Sequence, residues 1–387
     1  MTGATNAARN DVSVDRSLPD RDTGSIASED EGWMRRALEL AARGLYTATP
    51  NPRVGCVIVR AGVELGAGFH ERTGAPHAEV DALGDAARRG HEVRGATAYV
   101  SLEPCNHTGR TPPCSEALIA AGLARVVMAM RDPNPVAQGG AARLDAAGIA
   151  TTFGVLESEA RELNIGFVAR TTRGSPWVRT KLAASLDGRT ALLDGTSQWI
   201  TSDRARADGH AWRARACAIV TGVGTVLTDD PRLTVRHVQT PRQPLRVVVD
   251  RHADTPPGAK VLGDGSVIVV TDGARNPAWP RNVETLALPD SRGRIDLAAM
   301  LRELGERGIN EVHVEAGARL NGALLQAGLI DEAIVYVAPR VLGDPARGMF
   351  ELPEPLASLT HAVPLYWHSV DRIGPDLRVV ARVAAKG

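Results

Sequence analysis

Pro76-His77-Ala78-Glu79-Val80 and Leu102-Glu103-Pro104-Cys105-Asn106-His107-Thr108-Gly109-Arg110-Thr111-Pro112-Pro113-Cys114 set the architecture of the first half of this chain. In them one imidazole and two thiols stand where elements begin and end. His77 opens a helix pattern over Ala78 to Arg89, Pro104-Cys105 follows a strand over Ala96 to Leu102, and Cys114 precedes a helix over Ser115 to Ala121. Ligands at the ends of adjacent elements converge on one metal, and helix N-termini favour thiolates. Three protein ligands with one open corner make a catalytic zinc site. Glu79, two residues past His77, is not needed as a ligand and is free to carry a proton. Taken singly, two cysteines nine apart also suit apolar filling, and His-x-Glu is common by chance. Proline ahead of both cysteines makes the joint pattern specific. His107 is a rival ligand that would close the site and make zinc structural. His70 and His91 read as polar-contact or surface residues.

The surrounding pattern is an α/β alternation. A helix with recurring apolar residues from Trp33 to Ala41 precedes two short strands, Val54 to Val59 and Val63 to Phe69, joined by a tight turn at Ala61-Gly62. Strands Arg125 to Met130 and Ile149 to Val155 alternate with a helix over Ala141 to Ala147, which predicts a layered sheet. Residues 1–30 are polar, with three arginines against six acids, and read as a disordered acidic tail. Order is expected near Ser28, whose spacing to Glu31 suits a capping box. Polar Ala169 to Pro176 is the candidate linker, giving a first domain over 31–173 and a second over 174–387. The second repeats the alternation, with strands at Trp177, Cys217, Leu245, Ser266, Glu311 and Glu332. Its helices cover Asp203 to Arg215, Leu297 to Glu306 and Leu320 to Ala327.

Length and charge narrow the function classes. At roughly 100–200 residues per domain, 387 residues make two or three. The 45 Lys+Arg against 45 Asp+Glu argue against a nucleic-acid binder, and 4% aromatics leave few stacking platforms. No apolar run reaches the ~18 residues of a membrane helix. Four cysteines, Cys56, Cys105, Cys114 and Cys217, are too few for a stapled secreted fold, so a reduced cytoplasmic protein is expected.

In the second half no G-x-G-x-x-G follows the first strand. Glu315-Ala316-Gly317-Ala318-Arg319-Leu320-Asn321-Gly322-Ala323 follows a strand and opens a helix, where a glycine lets backbone N–H groups approach phosphate. A packing glycine would look the same. Thr221 to Pro231 also follows a strand and reads as a cofactor contact or a plain loop.

His-x-Glu with a later Pro-Cys pair is the arrangement of zinc deaminases, here with eight residues between the cysteines. With Thr49-Pro50-Asn51-Pro52 and Val54 to Val59, these stretches resemble the deaminase half of the bifunctional riboflavin-biosynthesis deaminase–reductases. Lys181 to Arg189, Ser197 to Thr201, Thr225 to Pro231 and Glu315 to Leu325 resemble the reductase half, and the likeness runs from residue 31 to about 343. It implies a cytidine-deaminase-like three-layer α/β/α domain followed by a dihydrofolate-reductase-like α/β domain. It also implies one zinc ion per chain and NADPH. By the same resemblance, a diaminopyrimidinone carrying a phosphoribosylamino group loses its 2-amino group, and its ribosyl group is then reduced to ribityl. Asn51, His70 and Arg110 fall near the first substrate position. Ala183, Trp199, Thr225, Asp229 and Gly317 to Ala323 fall at cofactor contacts. Ser197, Arg213, Leu233, Arg236 and Glu315 fall at substrate contacts, where the guanidinium forks suit a sugar phosphate. Arg251 stands where the family often has a small polar residue and could reach a ribose phosphate. A small-molecule enzyme, homo-oligomeric, without nucleic acid or membrane, is the resulting expectation. The alternatives are a nucleic-acid or nucleoside deaminase with a nucleotide-binding C-terminal module, and a structural-zinc module joined to a nucleotide sensor.

Overall fold

The computed structural model describes residues 21–108 and 112–384. The first half holds α1 (Arg21–Ala42), β1 (Gly55–Arg60), β2 (Val63–Phe69), α2 (Ala78–Arg88), β3 (Thr97–Val100), α3 (Cys114–Ala121), β4 (Arg125–Met128), α4 (Gly140–Ala146) and β5 (Ala150–Phe153). Its sheet runs β2-β1-β3-β4-β5, with β1 antiparallel to both neighbours and the rest parallel. Alternation along β1 builds the three layers. Cys56 and Ile58 pack under α2, α3 and α4 with Ala82, Leu118 and Leu144. Val57 and Val59 pack under α1 with Met34, Ala37 and Leu40.

Then come α5 (Glu157–Leu163) and α6 (Ile165–Arg173). The second half holds β6 (Trp177–Ser185), β7 (Arg189–Ala191), α7 (Asp203–Arg215), β8 (Ala218–Gly222), α8 (Val223–Asp229), β9 (Leu245–Val249), β10 (Val267–Thr271) and β11 (Val283–Ala287). It continues with α9 (Leu297–Glu306), β12 (Glu311–Val314), α10 (Ala318–Gln326), β13 (Glu332–Ala338), β14 (Arg347–Gly348), β15 (Leu365–Ile373) and β16 (Asp376–Val383). The large sheet has the order β11-β10-β9-β8-β12-β6-β13-β16-β15. It is parallel through β13 and antiparallel at β16 and β15. The interior strands β8, β9 and β10 are nearly continuous runs of buried residues, as strands covered on both faces require.

Two expectations change. The acidic tail lies outside the described residues as far as residue 20, but from Arg21 the chain is helical. Asp30 is only 5% exposed and accepts hydrogen bonds from Tyr99 Oη (2.9 Å) and Arg125 Nη2 (2.7 Å), so Ser28-Glu31 lies within the helix rather than capping it. The candidate linker is mostly helix: α6 runs to Arg173 and ends on Gly174 in the left-handed region, φ 73°, where glycine is favoured. Phe167 and Ala169 are buried on its inner face, and only Ser175-Pro176 joins it to β6.

Candidate active sites

His77 is the N-cap of α2, and that helix lies against β2 because two glycines let it. A Cβ on Gly66 would stand 2.4 Å from Ala82 O, and one on Gly68 would stand 2.4 Å from Ala82 N. Cys105 follows β3, and Cys114 begins α3 after Pro113. The three residues each bring one ligand atom within 4.8 Å of the others. His77 Nδ1 is 3.3 Å from Cys114 Sγ and 3.6 Å from Cys105 Sγ. A hydrogen bond from the Cys114 thiol, with a second from His77, outweighs burial and holds the Cys105 thiol below its usual range, which favours the thiolate a metal takes. A nitrogen and two sulfurs at this spacing fit zinc. Glu79, 3% exposed, lies beside them, and burial pushes its carboxyl up to about 7. His107 is not in the cluster, so among the described residues the donor set is three and the closed four-ligand site is not formed.

Asn51 and His70 meet at this centre. Asn51 Nδ2 donates to His70 Nε2 (3.0 Å), because the other ring nitrogen donates to Pro76 O (3.0 Å). The His70 ring stands edge-on to His77 at 5.4 Å. His91 is exposed, and Arg110 lies outside the described residues. Sequence reasoning missed Glu103. Its buried carboxylate accepts N–H bonds from Asp132 (3.3 Å), Gly139 (3.3 Å) and Ala141 (3.1 Å), pinning the loop after β4 against Pro104-Cys105. The one available signal is an acid directly ahead of Pro-Cys.

In the second half a cleft opens at the carboxyl ends of β6, β8, β9 and β12, where open parallel sheets bind ligands. Ala183, Trp199, Thr225, Asp229, Gly317, Ala318, Arg319 and Leu320 line it, as do Ser197, Arg213, Leu233, Arg236 and Glu315. Gly317 caps α10 with φ −72° and ψ 171° and no side-chain cap, so the first-turn N–H groups have no helical acceptor where Gly317 to Leu320 line the cleft. Trp199 is 62% exposed with the Arg206 guanidinium 4.4 Å over its ring, which removes the core-packing reading. Arg213 forks onto Glu315, with Nη2 2.8 Å from Oε2. Burial alone would raise Glu315, but Arg213 and His313 outweigh it and hold the carboxylate well below its usual range.

Four expected contacts are not in this lining. Asn321 is fully buried, accepting from Thr180 Oγ1 (2.9 Å) and donating to Ala316 O (2.9 Å). A Cβ on Gly322 would stand 1.9 Å from Glu351 O, so that glycine serves packing. Ala323 lies further along α10, beyond the lining residues Ala318 to Leu320. Arg251 is turned to solvent and pairs with Asp272 at 3.2 Å. Lys181 and His210, which sequence reasoning did not select, do line the cleft. Burial, then Arg213, Arg236 and His237, lowers His210 to about 4, so its ring is neutral there.

The profile for the cytidine and deoxycytidylate deaminase zinc-binding region matches residues 27–130, and that for the RibD C-terminal domain matches residues 176–379. The riboflavin biosynthesis protein RibD of Escherichia coli (strain K12) is 49% identical over 363 residues, spanning 90% of this chain and 98% of that one. The RibD of Haemophilus influenzae is 44% identical across 92% of this chain and 97% of that one. Among solved structures, Acinetobacter baumannii RibD superposes with a TM-score of 0.85 at 43% identity, covering 92% of this chain and 99% of that one. The diaminohydroxyphosphoribosylaminopyrimidine deaminase/5-amino-6-(5-phosphoribosylamino)uracil reductase of Thermotoga maritima gives 0.86 at 35% identity, with 93% and 100% covered. Likeness through both halves does not favour a nucleic-acid deaminase or a zinc-and-sensor module. This chain belongs to the RibD family of bifunctional riboflavin-biosynthesis enzymes, a zinc-binding deaminase domain followed by a reductase domain.

Proposed function

We propose that this protein deaminates 2,5-diamino-6-(5-phosphoribosylamino)pyrimidin-4(3H)-one to 5-amino-6-(5-phosphoribosylamino)uracil, then reduces the ribosyl group to ribityl with NADPH. His77, Cys105 and Cys114 hold zinc, which when bound activates water as the nucleophile. Glu79 takes the water's proton and delivers it to the departing ammonia. Its carboxyl, balanced near neutrality by burial, suits both directions of transfer. Asn51 and His70 shape the pyrimidine side of that site, and Arg110 contacts the phosphate.

In the cleft, NADPH when bound supplies the reducing equivalents. The first-turn N–H groups of α10 after Gly317, together with Thr225, Asp229, Ala183 and Trp199, hold it. This donor set fits a dinucleotide phosphate, because unsatisfied N–H groups at a helix start favour anions. Ser197, Leu233, Arg236 and the Arg213–Glu315 pair hold the sugar phosphate. The protein works in the cytoplasm as a homo-oligomer on small molecules, apart from membrane and nucleic acid. No helix of the described residues is long and apolar enough to cross a membrane.

The observation that carries this reading is the buried Glu79 beside the His77, Cys105 and Cys114 donors, on the same chain as the cleft. Purified protein is incubated with the diaminopyrimidinone phosphate with and without NADPH, and products are identified by mass. The expected products are the aminouracil alone without NADPH and its ribityl form with it. Unchanged substrate in both would overturn the reading.

A further inference from the structure

The loop over 46–53 belongs to the first half by chain order, yet the second half grips it at four points. Asn310 Nδ2 donates to Pro50 O (3.0 Å), and Arg242 Nε donates to Tyr46 O (2.8 Å). Thr49 Oγ1 lies 3.0 Å from Cys217 Sγ. Arg53 Nη2 pairs with Glu311 Oε1 at 2.7 Å, with both side chains almost wholly buried. In the middle of this loop is Asn51, whose amide holds His70 beside His77. The loop's own backbone bonds are local turns, such as Ala48 N to Gly44 O and Asn51 N to Ala48 O, and no strand of the first sheet pairs with it.

Asn310 is built for direction. It is 4% exposed, and its Oδ1 accepts from Arg170 Nε at 2.6 Å. Arg170 has no acceptor to offer, so the amide cannot flip, and Nδ2 is committed to Pro50 O. Glu311, the next residue, is fixed from its other side by Arg215 Nε at 2.8 Å and by Arg179. An interface needs only covered area. Four polar contacts converging on a loop that reaches the metal centre do more, because together with the Asn164 bonds to the Arg53 backbone they bear on where Asn51 stands.

We propose that Asn310, backed by Glu311, is a positioning residue for the deamination: through Pro50 the reductase half holds the loop that presents Asn51 to the pyrimidine. This rests on the assignment of Asn51 made above. The deaminase site is then completed by residues that lie beyond residue 300 in the chain.

The test uses the full-length, zinc-loaded protein. Asn310→Asp has the same shape and keeps the acceptor for Arg170, but loses the N–H that holds Pro50. The expected result is a rise in KM for deamination of about tenfold, equivalent to ~1.4 kcal/mol, with kcat changed far less. Reductase kinetics on the predeaminated substrate and the zinc content stay at wild-type values. Thr49→Val, which removes only a hydroxyl, should move the same KM in the same direction by less, and it carries the test if the first variant does not fold. Wild-type KM in both variants would overturn the proposal. A parallel fall in both activities with a lowered melting temperature would also overturn it, since that marks a merely structural contact. Asn51→Ala is measured alongside. If it leaves deamination untouched, the assignment of Asn51 fails and the proposal falls with it. If it impairs deamination while Asn310→Asp and Thr49→Val do not, the assignment stands and only the positioning role fails.

Discussion

Glu79 shows what a single side chain gains from its surroundings. A carboxyl in water would be ionised at neutral pH and a poor acid. Burial, with the nearby Cys105 sulfur adding to it, raises it to about 7, where it can accept and then return a proton. Glu79→Gln preserves the shape and removes the titration. It should cut ammonia release by a factor on the order of 10²–10⁴, leave the zinc content intact, and leave NADPH oxidation on predeaminated substrate at the wild-type rate. Loss of both activities in that assay would break the two-site description. Arg213 poses the complementary case, a cation already matched by a carboxylate. Its Nε and Nη2 fork onto Glu315 and its Nη1 donates to Thr234 O (3.1 Å), which fixes the pair in the cleft. Arg213→Ala should raise the reductase KM sharply, and Arg213→Lys should recover little, because an ammonium cannot make the planar two-point contact. Steady-state kinetics indistinguishable from wild type in Arg213→Ala would remove it from the site.

At the scale of elements, the metal centre depends on how closely α2 lies on β2. Gly68 carries no side chain where Ala82 N, Ala78 O and Asp81 C crowd within 2.8 Å of a Cβ position. Backbone cannot give way as a flexible side chain does, so Gly68→Ala must lift the helix at about 1–3 kcal/mol. That helix starts at His77, so the variant should bind zinc substoichiometrically while its reductase rate holds, checked by metal analysis against NADPH oxidation. Full zinc occupancy would show that the helix has slack. The same elements explain what was legible in the sequence. His77, Glu79, Cys105 and Cys114 are readable because metal and proton chemistry restrict residue types within short local pieces, and β1, β4, β8, β9 and β10 because they are buried runs rich in Val and Ile, whereas three-residue β7 carries no such pattern. The grip of Gly66 and Gly68 was not readable, since a close approach looks like any other glycine until its neighbour is known. The end of helix α6 reads as a linker because Arg170 to Arg173 is polar, while Gly166, Phe167 and Ala169 are its buried residues. Asp30 reads as part of a tail because its partners, Tyr99 and Arg125, lie 69 and 95 residues away. Asn321 and Gly322 follow the family pattern into the cofactor set, and in the structure the Asn321 side chain bonds Thr180 and Ala316 while Gly322 packs against Glu351.

For the molecule as a whole, the two halves are joined by charge that is costly to expose and costly to leave unpaired. Arg53 from the first half meets Glu311 of the second, where Arg179 and Arg215 already converge. Glu162 after the first sheet meets Arg382 at 2.7 Å, and Arg382 also reaches Glu332. Burial alone would raise Glu311, but Arg215, Arg53 and Arg179 outweigh it and hold the carboxylate well below its usual range. Glu162 is lowered in the same way, burial opposing and Arg382 prevailing. A carboxylate whose folded pKa is depressed contributes stability that is complete above its unfolded value, about 4.3, and lost as pH falls through the folded value. The joint should therefore hold from neutrality down to about pH 4 and weaken only in stronger acid. Separating the halves at neutral pH would leave Arg179 and Arg215 facing a carboxylate short of one guanidinium, and Arg53 without its carboxylate, so calorimetry at pH 7 should give one transition. Glu311→Gln strips the shared anion from three guanidinium groups and should cost on the order of 3–5 kcal/mol, splitting that transition into two at pH 7. The wild type should reach the same split only in acid. If Glu311→Gln melts as a single unit at the wild-type temperature, the halves are held by packing alone, and the ion cluster is a passenger at the boundary.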